Sequence, residues 1–152
     1  MIMMAPYRLE RIFSFLNPWS DPLGSGFQII QSLYAISPAS LFGYGLFKSR
    51  QKYFYLPEPQ NDFIFAIICE ELGIIGGFVV ILLFFILIYI GYDLISHTKD
   101  MYAIYIVFGF TTLIAIQVFI NIAVVIGLIP VTGVTLPFIS YGGSSLIITM
   151  FM

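Results

Sequence analysis

The stretch NDFIFAIICEELGIIGGFVVILLFFILIYIGYD, residues 61–93, decides the fold class. Between Glu71 and Asp93 it runs through 21 residues without a charge. At a rise of about 1.5 Å per residue, a helix of that length covers roughly 30 Å, the hydrocarbon thickness of a bilayer. A transmembrane helix is therefore expected over residues 63–95, with Glu70 and Glu71 inside the membrane or at its edge. Gly73 and Gly77 stand four apart, and on one helix face they are expected to let a neighbouring helix approach closely.

The rest of the composition agrees with a membrane setting. Of the 152 residues, 60% are hydrophobic, 18% aromatic and only 9% charged, with a mean hydropathy of +1.01. Soluble domains carry about a quarter charged residues, so this chain lacks the polar surface to coat a globule. Soluble enzymes, nucleic-acid binders and disordered tails are all disfavoured. The net charge of -2 says little, because with so few charges their placement matters more than their sum. The single Cys69 excludes an internal disulfide and a cysteine-built metal site.

Charge placement divides the chain. Five of the six basic residues (Arg8, Arg11, Lys48, Arg50, Lys52) lie at or before position 52, and residues 101–152 contain no charge. Residues 1–62 are broken by Pro18, Pro22, Pro38, Pro57 and Pro59 and are read as a loop outside the membrane holding short helices. One such helix is Phe27–Ile36, apolar on one face, with Gln28, Gln31 and Ser32 opposite. It suits either a helix in the membrane interface or an ordinary packed one. After a turn at residues 96–100, residues 101–126 form a second span. Residues 127–145, GLIPVTGVTLPFISYGGSS, cannot be one helix, and so apolar an irregular segment is tolerated near a membrane only when buried in protein or lining a cavity. Residues 146–152 begin a third helix too short to cross, so the chain reads as truncated. Two crossings put the first loop and residues 127–145 on the same membrane face, where they can build one site.

The densest set of charged groups is residues 48–71, KSRQKYFYLPEPQNDFIFAIICEE. Asp62 stands where a polar loop enters an apolar helix. Burial there disfavours the ionised carboxylate and neighbouring cations favour it, so its readiness as a general base stays open. Asn61 or Asp62 can equally cap the helix. Glu58 is held between Pro57 and Pro59, as an aimed side chain or an exposed turn acid. Glu70 and Glu71 at membrane depth call for a function or an ion-pair partner. Gln117 and Asn121, four apart on the second span, suit interhelical hydrogen bonds. His97 has no metal-ligand companion, and Cys69 reads as a small buried hydrophobe. Ser140, Ser144 and Ser145 lack a histidine for hydrolase chemistry, but glycines ahead of a helix start can bind an anion or a hydroxyl-rich headgroup.

Three segments closely resemble the SEDS family (shape, elongation, division and sporulation) of membrane glycosyltransferases, and most of all its division and sporulation branch. They are YRLERIFSFLNPWSDPLGSGFQIIQSL at residues 7–33, SRQKYFYLPEPQNDFIFAIICEELGIIGG at 49–77, and IPVTGVTLPFISYGGSSL at 129–146. The resemblance implies an all-α polytopic membrane protein, the C-terminal part of a roughly ten-helix bundle with a large extracytoplasmic loop. It implies that the complete protein polymerises lipid II into β-1,4 glycan strands with release of undecaprenyl pyrophosphate. Transport of lipid II and a non-catalytic scaffold of the cell-wall synthesis complex are the alternatives.

The family's loop aspartate falls on Asp62, which the resemblance casts as the catalytic base or as a metal ligand. By position Arg50 and Lys52 would stabilise the leaving pyrophosphate, Glu58 would assist metal or acceptor, and Ser140, Ser144 and Ser145 would contact substrate. A divalent cation, Mg or Mn, is the implied cofactor. The implied partners are lipid II, membrane lipid and a class B penicillin-binding transpeptidase, with no nucleic acid. The resemblance places the chain in the bacterial cytoplasmic membrane, its active face extracytoplasmic, whereas the positive-inside rule alone would turn the basic loop toward the cytoplasm. A fragment without the upstream helices is expected to be inactive alone.

Overall fold

The computed structural model describes residues 14–22, 24, 26–37, 41–45, 62–141 and 150. Among them the regular structure is helical: a 3₁₀ turn at Pro18–Ser20, α1 at Phe27–Ile36, α2 at Ile64–His97 and α3 at Met101–Val125. Arg50, Lys52, Glu58, Asn61, Ser144 and Ser145 lie outside the described residues, as do 146–149 and 151–152 of the expected third helix.

The two long helices form an antiparallel hairpin, because only Thr98, Lys99 and Asp100 separate them. Asp100 caps α3, its Oδ1 accepting the Tyr102 N–H at 3.1 Å. Where the helices meet, Tyr92 Oη and Thr112 Oγ1 are 3.1 Å apart, and the Tyr92 and Phe108 rings sit edge to face at 6.1 Å. The helices come close at Gly91, where a Cβ would stand only 2.5 Å from Thr111 Oγ1. Gly91 thus fills the role expected of Gly73 and Gly77. Both helices are long and apolar enough to cross a membrane, and only 22% and 17% of their most apolar stretches are buried. Phe78, Phe85, Tyr105 and Phe119 are all more than half exposed, a surface suited to lipid or to further helices.

α2 is not one continuous rod. Gly73 has φ 74° and ψ -169°, a conformation open essentially to glycine alone, and it breaks the helix. The break frees backbone groups, and residues 41–45 take them up: the Glu70 carbonyl accepts from Tyr44 N–H at 3.0 Å, the Glu71 carbonyl from Gly45 N–H at 2.9 Å, and Ile75 N–H donates to the Leu41 carbonyl at 3.5 Å. Gly43 makes this possible, because a Cβ on it would collide with the Glu71 carbonyl and the Gly73 nitrogen. Gly77 faces Cys69 Sγ and the Phe65 ring of its own helix rather than a neighbour.

α1 packs in the angle between the long helices. Ile29, Ile30 and Ala35 are buried, and so is Ser32, which the amphipathic pattern had set on the polar side. Its hydroxyl reaches the carbonyls of Ile29 (2.8 Å) and Val125 (3.2 Å), the latter at the C-terminal end of α3 where helix carbonyls lack helical partners. α1 is therefore a packed helix over the end of the hairpin. The main core gathers there, from Ala35, Phe63, Phe65, Ala66, Val124 and Leu136.

Candidate functional site

The site is built where α2 begins and α3 ends. Phe63 is the N-cap of α2 and is 1% exposed, so the helix is anchored by an apolar side chain sunk in the core. Its carbonyl accepts from Ala66 N–H at 3.0 Å and Ile67 N–H at 3.4 Å. Asp62 stands one residue earlier, half-buried, at the positive end of the helix dipole. The capping position expected of Asn61 or Asp62 therefore belongs to Phe63.

α3 stops at Val125 with a paired closure: Gly127 N–H donates to the Val124 carbonyl (3.0 Å) and Leu128 N–H to the Ala123 carbonyl (2.7 Å). The chain then runs without regular structure through residues 128–136 and turns back over the start of α2. Asp62 Oδ2 lies 3.7 Å from where a Cβ on Gly133 would stand, so the carboxylate faces this segment.

Asn121 ties the two together. Its Nδ2 donates to the Asp62 carbonyl at 2.9 Å and to the Val134 carbonyl at 2.7 Å, and the residue is 1% exposed. The bonds expected between helices go instead to two loop carbonyls. Asn121 Oδ1 and Gln117 Oε1 are buried acceptors without a hydrogen-bond partner among the described residues. Gln117 also lines an open, largely apolar groove of about 540 Å³ on α3, shared with Phe108, Thr112, Ile116 and Val134.

Further along, Ser140 is buried and its Oγ accepts the Leu136 N–H at 2.8 Å. Between them Phe138 has φ 63°, and Ile139 N–H donates to the Pro137 carbonyl at 2.8 Å across it. That tight positive-φ turn is strained for a bulky residue, a condition that collects at functional sites.

The structure thus brings Asp62 together with residues 127–141, as the antiparallel hairpin of α2 and α3 allows. Glu70 and Glu71 sit apart, at the break in α2: Glu70 is 2% exposed, and Glu71 Oε1 is buried without a hydrogen-bond partner among the described residues. Cys69 is buried. His97 lies in the last turn of α2 rather than in the connecting turn, its Nδ1 within 3.0 Å of the Asp93 carbonyl. Among the described residues no group of three or more His, Cys, Asp or Glu could hold a metal ion.

Asn121 is the residue that sequence reasoning did not place in the site. The available signal was a carboxamide one turn from the end of an apolar span, followed at once by irregular backbone whose carbonyls need donors.

A long apolar helical hairpin, with a carboxylate at one helix start facing an irregular apolar segment, defines a helical membrane protein with a candidate site at the end of the hairpin. Residues 1–152 match the family described as Cell cycle protein, that of FtsW, RodA and SpoVE. The chain belongs to this family. It is 63% identical over 146 residues to stage V sporulation protein E of Bacillus subtilis (strain 168), covering 96% of this chain and 40% of that protein. It is 46% identical over 151 residues to the probable peptidoglycan glycosyltransferase FtsW of Geobacter metallireducens (strain ATCC 53774 / DSM 7210 / GS-15), covering 99% of this chain and 40% of that one. A solved structure described under "Structural coordination of polymerization and crosslinking by a peptidoglycan synthase complex" is similar with a TM-score of 0.72 and 36% identity, over 97% of this chain and 40% of the other. The chain spans about 40% of the length of these relatives.

Proposed function

We propose that this chain carries the catalytic aspartate of a peptidoglycan glycosyltransferase, completed by the further helices that a roughly ten-helix relative supplies. The observation that carries the reading is Asp62, fixed at the start of α2 with its carboxylate facing Gly133 of the irregular segment. The similarity to relatives named peptidoglycan glycosyltransferase supports the reaction class.

In this reading Asp62 takes the proton from the 4-hydroxyl of an acceptor lipid II. The freed oxygen attacks the anomeric carbon of the donor sugar from the opposite side to the leaving group. The bond to pyrophosphate breaks, undecaprenyl pyrophosphate departs, and a β-1,4 linkage forms with inversion. General-base assistance of this kind is worth about 10²–10⁴-fold. Arg50 and Lys52 offset the charge of the leaving pyrophosphate, Glu58 assists the metal or the acceptor, and Ser144 and Ser145 border the substrate, while the buried Ser140 shapes the segment through its bond to Leu136. The apolar groove beside Val134 is in keeping with a lipid-linked sugar.

A divalent cation belongs to the proposal only in a limited form. Asp62 would be the residue to hold a divalent cation, Mg or Mn, which would supply neutralisation of the pyrophosphate charge. The proposed protein environment is the extracytoplasmic face of a multi-pass protein in the bacterial cytoplasmic membrane. A class B penicillin-binding transpeptidase is the proposed partner, since new strands need crosslinking. The test is the full-length protein in liposomes with labelled lipid II: Asp62→Ala is expected to abolish polymer, and polymer at the wild-type rate would refute the assignment.

The break at Gly73 favours a second reading, translocation of lipid II, because broken helices line the substrate sites of transporters. Reconstituted full-length protein that moves labelled lipid II across the bilayer without forming polymer would establish it in place of the first.

A further inference from the structure

We propose that Asn121 is a positioning residue for Asp62, an inference that rests on reading Asp62 as the base. One side chain sets two peptide groups at once. Nδ2 donates both of its protons, one to the carbonyl of Asp62 itself and one to that of Val134, next to the Gly133 that the Asp62 carboxylate faces. These two segments lie 59 and 13 residues away along the chain and have no helix or sheet ladder in common. The amide therefore fixes the separation between the carboxylate and the wall opposite it.

The choice of residue follows from the geometry. Two carbonyls facing one nitrogen call for a group with at least two N–H donors, and a carboxamide supplies them without burying a charge. The contacts also settle which end of the amide is nitrogen, since an oxygen there would face two oxygens. An ordinary structural hydrogen bond would need only one acceptor. Its cost is also visible: among the described residues Oδ1 has no hydrogen-bond partner, although burying an unpaired acceptor is unfavourable. That cost is accepted at a position where both donors are committed to loop carbonyls.

The experiment uses the full-length protein in liposomes with labelled lipid II, comparing Asn121→Leu, Asn121→Gln and Asp62→Asn. Rates are counted per folded molecule, from the monodisperse fraction in size-exclusion chromatography. A misplacement of about 1 Å is enough to cost roughly 10²-fold, so Asn121→Leu is expected to lower kcat by about 10- to 100-fold with KM within about twofold. Asn121→Gln keeps both donors and is expected to recover a large part of that loss. Unchanged kcat per folded molecule in Asn121→Leu, or a Gln variant as impaired as the Leu variant, overturns the inference. If Asn121→Leu yields no folded protein, Asn121→Ala, which removes both donors without adding bulk, takes its place: lowered kcat with KM unchanged supports positioning, and unchanged kcat overturns it. Polymerisation by Asp62→Asn at the wild-type rate would instead remove the reading of Asp62, and the positioning role with it.

Discussion

Tyr44 donates its N–H to the Glu70 carbonyl at 3.0 Å, a bond that exists because α2 breaks three residues later at Gly73. The helix gives up part of its own ladder and residues 41–45 replace it, so a segment from before the first span is built into the backbone of that span. Gly73 and Gly43 are two halves of one joint. A Cβ at Gly73 would be forced into a conformation costing about 1–3 kcal/mol, and one at Gly43 would strike the Glu71 carbonyl. Gly73→Ala and Gly43→Ala are each expected to lower the stability of the full-length protein by about 2–3 kcal/mol. In thermal unfolding in detergent the double variant should lose less than the sum, since both changes break the same joint.

Ser32 joins α1 to the end of α3 from a fully buried position. Removing its hydroxyl leaves the Val125 carbonyl without that donor, so Ser32→Ala should cost about 1 kcal/mol. Ser32→Leu must also find room in a closed core and should cost a further 1–3 kcal/mol or so. Urea titration of both variants in detergent checks the order.

Gly91 and its neighbour Tyr92 offer a contrast within one contact. Gly91→Val would drive a side chain into Thr111 and is expected to destabilise the hairpin by about 1–3 kcal/mol. Tyr92→Phe loses an exposed bond to Thr112 and should stay within about 0.5 kcal/mol of wild type. Equal effects of the two in thermal unfolding would contradict the packing described.

Ser140 accepts the Leu136 N–H inside the segment that faces Asp62. Ser140→Ala leaves that buried amide unpaired, at about 1–3 kcal/mol. A drop in the unfolding midpoint with lipid II KM unchanged is the outcome expected from this bond alone; a raised KM would show that the hydroxyl also meets substrate.

The apolar run of residues 72–92 made the first long helix legible, and the uncharged run after Asp100 made the second, because a helix long and apolar enough to cross a bilayer is written directly in composition. Helix α1 was legible from its periodicity, but its setting was not. Ser32 counts as polar in any amphipathic pattern, and only its placement against Val125 makes burial favourable. The break at Gly73 was hidden for a similar reason. Its sequence surroundings, ELGIIGG, are continuous with a helix, and its φ is settled by contact with Gly43, thirty residues earlier. Asp62 stood out as a carboxylate at the entry to an apolar helix, while Asn121 did not, since an amide in a span is ordinary until its acceptors are known.

The central claim is that the Asp62 carboxylate removes the acceptor proton. Its most direct test is single-turnover glycan bond formation by full-length Asp62→Asn, a change that keeps the shape and the backbone bond to Asn121 but removes the base. Retained binding of labelled lipid II with bond formation slowed about 10²-fold or more is the predicted result. Bond formation within a few-fold of wild type, with binding unchanged, would contradict it.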